Sequence, residues 1–154
     1  MIILGIDPGT TRIGFGIIDS TKNNLSCVHY GLLSQLSPVG VMSELDQLIK
    51  KYKPDLAAVE KLFFFKNKKT IISVSEMRGI IMATLAVHNV QTREFTPLQV
   101  KQAVSSYGRA HKDQVERMVR LILNLKEAVE PDDAADGLAI AICCANNIVY
   151  SNNQ

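Results

Sequence analysis

Apolar residues crowd the first positions of the chain. Ile2-Ile3-Leu4-Gly5-Ile6 runs without a polar break into Asp7-Pro8-Gly9. This is the pattern of a strand buried on both faces and stopped by a turn. Ile13-Gly14-Phe15-Gly16-Ile17-Ile18-Asp19 alternates large and small residues. It predicts a second strand, folded back antiparallel to the first through the Pro8–Arg12 turn. Its glycines leave one face bare for close approach by another segment or a ligand. Lys22-Asn23-Asn24 reads as a turn, and Leu25 to Leu33 as a third strand closing a meander.

The period then changes. Val41, Leu45, Leu48 and Ile49 recur at helical spacing, which predicts an amphipathic helix over 38–52 that Lys53-Pro54-Asp55 stops. Leu56-Ala57-Ala58-Val59 is a short buried strand ending on a second acid, Glu60. A helix followed by a return strand implies a parallel neighbour for an early strand. Asp7 and Glu60 would then lie side by side at one sheet end. Ser75 is expected to N-cap a helix running to about His88, with Glu76 in its first turn. Val90 to Phe95 reads as a further strand. Thr96-Pro97 supplies a cap and a first-turn proline for a helix to Val104. Beyond Ser105-Ser106-Tyr107-Gly108, a helix follows with Val115, Met118, Val119 and Ile122 on its buried side. Pro131 opens the last helix.

The 154 residues, 47% hydrophobic and 21% charged, describe one folded α/β domain over 1–154. No signal-peptide pattern is present, and the apolar run Leu138–Ala145 is too short to span a bilayer. Cys27, Cys143 and Cys144 lack a ligand spacing and read as reduced thiols of a cytosolic protein. His29 and His88 are expected to be structural.

A net charge of +2 names no partner, but its distribution is informative. Lys61 to Lys69 holds four lysines, three of the five phenylalanines and no acid. Lysines there suit a polyanion, because each phosphate contact releases counterions, and phenylalanines suit stacking on bases. The bland alternative is a loop whose aromatics enter the core and whose lysines are solvated. Arg109, His111 and Lys112 either contact phosphates or line a solvated turn.

The acids form a second theme. Asp7 is either a turn-capping carboxylate or a metal ligand. Asp133 and Asp136, three apart on the last helix, share a face, and Asp132, four from Asp136, could join them. Dipole complementation at the helix start accounts for one or two of these acids, but less well for Asp136, which apolar residues follow. Asp7, Glu60, Asp133 and Asp136 together make an all-oxygen site. Hard cations, Mg²⁺ or Mn²⁺, suit it, since packed carboxylates repel unless neutralised. Two ions roughly 3.5–4 Å apart could activate a water and stabilise a leaving oxygen.

Taken together, Gly5-Ile6-Asp7-Pro8-Gly9, Val59-Glu60, Arg78-Gly79, Val100-Lys101-Gln102-Ala103, Lys112-Asp113-Gln114-Val115, Met118-Val119 and Asp133 to Ala141 resemble the RuvC Holliday-junction resolvases. These are crossover junction endodeoxyribonucleases of ribonuclease H-like fold, and the segments match in family order along the chain. The resemblance implies a mixed five-stranded sheet flanked by helices. It also implies a homodimer that cuts four-way DNA junctions at two symmetric phosphodiesters, leaving 5′-phosphates. Catalytic, metal-holding carboxylates would fall on Asp7, Glu60, Asp133 and Asp136, with two Mg²⁺ per site and Mn²⁺ as a substitute. Asp132 lies outside the matched pair. Phe63, with Phe64 adjacent, would stack near the junction point, and Lys66, Lys101 and Lys112 would contact DNA. The branch-migration proteins RuvA and RuvB are the implied partners, the bacterial cytoplasm the implied location, and the helix near Ser75 a candidate dimer surface. In some members the first position of the helix pair is histidine, where this chain has Asp133.

The first motif also resembles the phosphate loop of actin-like ATPases, but no second Asp-x-Gly loop follows Asp19. RuvX/YqgF-type ribonuclease H-like nucleases acting on RNA share that motif and remain an alternative. So does a non-enzymatic junction-binding module, which would not need four acids.

Overall fold

The computed structural model describes residues 1–21, 24–62 and 68–151. In chain order these form β1 (Ile2–Asp7), β2 (Ile13–Thr21), β3 (Asn24–Leu33), α1 (Pro38–Tyr52), β4 (Leu56–Glu60), α2 (Lys68–Val87), β5 (Gln91–Phe95), α3 (Pro97–Ser105), α4 (Lys112–Ile122) and α5 (Asp132–Ser151). The strands make one mixed sheet in the order β3-β2-β1-β4-β5. The meander β1-β2-β3 is antiparallel, and β4 and β5 add in parallel beyond β1.

Side chains alternate across this sheet and so divide the core in two. Leu4, Ile6, Ala57 and Val59 point to one face and pack with Leu45 of α1 and Ile81 and Leu85 of α2. Ile3, Leu56 and Ala58 point to the other, against α3, α4 and α5. The period of two then puts Asp7 on the Ile3 face and Glu60 on the Ala58 face. Both acids therefore face α5.

The bare face of β1 and β2 is filled by that helix. A Cβ on Gly14 would lie 1.8 Å from the Asp133 carbonyl oxygen, and one on Gly5 would lie 2.1 Å from that of Gly137. Only glycine lets α5 lie directly on the sheet, and this approach sets the acids of its first turns beside Asp7. The middle of α5, Leu138 to Ala145, is buried throughout.

Thr96 opens α3 as expected. Its hydroxyl accepts from the Gln99 amide at 3.3 Å, and the Gln99 side chain accepts from the Thr96 amide at 2.8 Å, a reciprocal capping box.

The start of α2 differs from expectation. The helix begins at Lys68, not Ser75, and ends at Val87. The Ser75 hydroxyl donates to the Ile71 carbonyl at 2.7 Å within the helix, so it back-bonds rather than caps, and Glu76 is not in the first turn. Val74 continues the buried face of Ile81 and Leu85 to the N-terminal side of Ser75. Burial of that stripe outweighs the capping preference of serine.

His29 stacks on Tyr52, and His88 pairs with Asp46 of α1 at 3.0 Å. Both are structural, as expected. All three cysteines are free. Among the described residues no helix is long and apolar enough to cross a membrane.

Candidate active site

Ile6 and Val59 are partners across the parallel β1–β4 pair, so the residues that follow them, Asp7 and Glu60, stand side by side. Their carboxyls share a hydrogen bond. Burial, reinforced by the charges of Asp136 and Asp133, pushes the Asp7 carboxyl up to about 6. Burial, with Asp7 and Asp136 nearby, pushes that of Glu60 up to about 8. Two carboxyls this close hold a proton between them unless a cation replaces it.

The third and fourth acids come from α5. Burial raises the pKa of Asp136, while the Lys112 ammonium opposes the shift. Lys112 Nζ lies 3.2 Å from Asp136 and 2.7 Å from Asp132. It is the first residue of α4, whose N-cap, His111, makes no side-chain cap. A cation at that end of a helix is disfavoured by the dipole. Burial also works against its charge, but the hydrogen bonds it donates to Asp132 and Asp136, with the charges of those acids, prevail and hold its pKa above the ordinary lysine value. Asp133 is held separately, by Arg12 Nη1 at 3.2 Å.

Asp7, Glu60, Asp136, Lys101 and Lys112 line one cavity of about 220 Å³. Pro97, Val100, Val115, Ala139 and Ile140 form its apolar wall. The Lys101 charge reaches Glu60 and partly offsets the rise of its pKa. Asp133 acts on Asp7 through its charge but does not line the cavity. Phe63, Phe64 and Lys66 lie outside the described residues.

One residue beside the acids, Arg12, escapes a reading of sequence alone, and Asp132, which shares a face with Asp136, is paired by Arg12 and Lys112. Arg12 looks like the end of a turn, and Asp132 falls outside the matched acid pair. The available signal was a cation ending the turn that follows the first acid.

The donor chemistry suits a hard divalent cation, being all oxygen and over-supplied with negative charge. As the side chains stand, no three His, Cys, Asp or Glu among the described residues form a ready metal cage. The reason is visible in the pairing. Lys112 occupies Asp136, Arg12 occupies Asp133, and Asp7 and Glu60 bind each other.

The family model for the crossover junction endodeoxyribonuclease RuvC matches residues 3–144. The chain belongs to the RuvC family. RuvC of Halothermothrix orenii is 47% identical, covering 96% of this chain and 93% of the relative. RuvC of Fusobacterium nucleatum is 44% identical over 96% of this chain and 82% of its own. Among solved structures, T. thermophilus RuvC in complex with a Holliday junction substrate superposes with a TM-score of 0.91 at 30% identity, covering 98% of this chain and 96% of that one. The fowlpox virus resolvase, at 15% identity and a TM-score of 0.62, shares the fold. The chain is therefore a RuvC-type endodeoxyribonuclease of ribonuclease H-like fold. Membership decides against the actin-like ATPase, the RNA-directed nuclease and the non-enzymatic module.

Proposed function

We propose that this RuvC-family nuclease resolves four-way DNA junctions by divalent-metal-dependent hydrolysis of two symmetric phosphodiesters. The observation that carries the reading is the meeting of Asp7, Glu60 and Asp136, from three separate elements, with Lys101 and Lys112 in one cavity. Asp7, Glu60, Asp133 and Asp136 are the residues that would hold Mg²⁺, with Mn²⁺ as a substitute. Bound divalent cations would supply charge to activate water and to stabilise the leaving oxygen.

The chain's own groups do the rest. Glu60 and Asp7, which pair with each other at the strand ends, would hold such cations as carboxylates. Lys112 leaves Asp136 for substrate, and Lys101 faces the same phosphate across the cavity; both neutralise its charge. The apolar wall from α3, α4 and α5 limits water around the reacting group. Phe63 and Phe64 stack near the junction point, and Lys66 contacts the backbone. A homodimer matches the two-fold symmetry of the junction. The whole chain acts as one catalytic domain in the bacterial cytoplasm, alongside RuvA and RuvB.

Nicking of a synthetic four-way junction with Mg²⁺ tests this against linear duplex and single-stranded RNA. Paired nicks confined to the junction are expected. Equal cutting of linear duplex, or cutting of RNA alone, would overturn the reading.

A further inference from the structure

Arg12 has no part in the mechanism above, yet its surroundings suit more than a turn. It closes the segment that begins at Asp7, and its side chain is 57% exposed. Its ion pairs, to Asp133 at 3.2 Å and to Asp132 at 3.8 Å, both run through Nη1. A guanidinium carries five N–H donors in a planar fork, more than these two contacts through Nη1 use. Lys112 reaches Asp132 from α4 at 2.7 Å. Asp132 thus lies between two cations, one from the β1–β2 turn and one from α4. Together they flank the acids at the start of α5.

We propose that Arg12 binds a backbone phosphate of the DNA, with Asp132 and Asp133 holding its guanidinium until that phosphate replaces them. The inference rests on the reading of the chain as a junction nuclease. Its physical basis is a difference in contact quality. The Arg12 side chain is 57% exposed in both pairs, Asp132 is 49% exposed and the nearer Asp133 26%, and ion pairs with a side so open to solvent contribute little. A phosphate accepts two N–H groups from the guanidinium fork at once, a stronger and better directed contact than one nitrogen shared between two carboxylates. A strand crossing the acids would otherwise meet unrelieved negative charge on the Asp133 side. Arg12 supplies there what Lys112 supplies at Asp136.

The test measures binding of a labelled four-way junction in EDTA across a series of salt concentrations, so that cleavage and metal loading play no part. Arg12→Gln is expected to bind five- to tenfold more weakly at about 0.1 M salt, with the slope of log K against log salt reduced by about 0.9. Arg12→Lys, which keeps the charge, is expected to hold the wild-type slope. Wild-type protein that binds no junction would overturn the functional reading and this inference with it. Wild-type protein that binds, with Arg12→Gln matching it in affinity and slope, would overturn this inference alone. So would an Arg12→Lys slope reduced as far as that of Arg12→Gln.

Discussion

Glu60 stands beside Asp7 at the ends of two parallel strands, and their carboxyls are joined by a hydrogen bond. Burial, with the charges of the neighbouring acids, makes each keep its proton to a higher pH in the folded chain than in the unfolded one. Glu60 rises from 4.5 to about 8 and Asp7 from 3.8 to about 6. Between those limits the folded state binds more protons than the unfolded state, so stability falls as pH rises. Metal-free protein is expected to lose thermal stability from about pH 4 to about 8 and then level off. Glu60→Gln should flatten the upper part of that curve and be more stable than wild type at pH 8, by at least about 1 kcal/mol. Thermal unfolding in chelator across pH checks this. Parallel curves for the two proteins would show that the pair carries no such strain.

Asp7 is the acid on which the charges of Asp133 and Asp136 and the hydrogen bond of Glu60 all converge. Asp7→Asn keeps its size and removes its charge. Cleavage of the junction is expected to fall by about a thousandfold or more, the scale of losing a group essential to metal-assisted chemistry. Junction binding should stay near the wild-type level. Cutting at close to the wild-type rate with ample Mg²⁺ would remove Asp7 from the site.

Gly14 pairs with Asp7 across β1–β2, and a Cβ there would lie 1.8 Å from the Asp133 carbonyl. No side chain can yield, because both atoms belong to backbone or are fixed to it. Gly14→Ala should cost about 3 kcal/mol or more by forcing α5 off the sheet. Protein that still folds should cut about a hundredfold more slowly, since displacements near 1 Å misalign reacting groups. Unfolding curves and single-turnover cleavage measure the two effects. An alanine variant with wild-type stability would mean that α5 can shift freely.

Much of this arrangement is legible along the chain because it is written in short-range signals. The run into Asp7, the strand ending on Glu60 and the Thr96-Pro97 cap each declare their own element, and their order restricts the topology. Three places resist such reading. Ser75 has the residue type of a cap, but burial of Val74 with Ile81 and Leu85 extends the helix through it. The glycines of β1 and β2 announce a close approach without saying that α5 makes it. The pairing of Arg12 with Asp133 joins residues 121 positions apart, and nothing local to either one predicts it. Asp132 is the same case: its neighbours in sequence mark it as a helix-start acid, while its role comes from Lys112 on another helix.

Lys112 gives the sharpest separation of folding from chemistry. Its side chain is 46% exposed, and it bridges Asp132 and Asp136 across α4 and α5. Pairs this open to solvent contribute little, so Lys112→Met should cost about 0.5–1 kcal/mol of stability at most. A further offset acts in the same direction, because the substitution removes a cation from the unfavourable end of α4. Cleavage is another matter. The same ammonium lines the cavity with Asp7 and Glu60, where charge developing on a phosphate has few other donors. Loss of one such donor lowers rates by about a hundredfold or more. Lys112→Met is therefore expected to melt close to wild type and to cut at about one hundredth of its rate or less. Melting together with single-turnover cleavage at saturating protein measures both. A rate that falls only in proportion to the folded fraction would assign Lys112 to the fold alone.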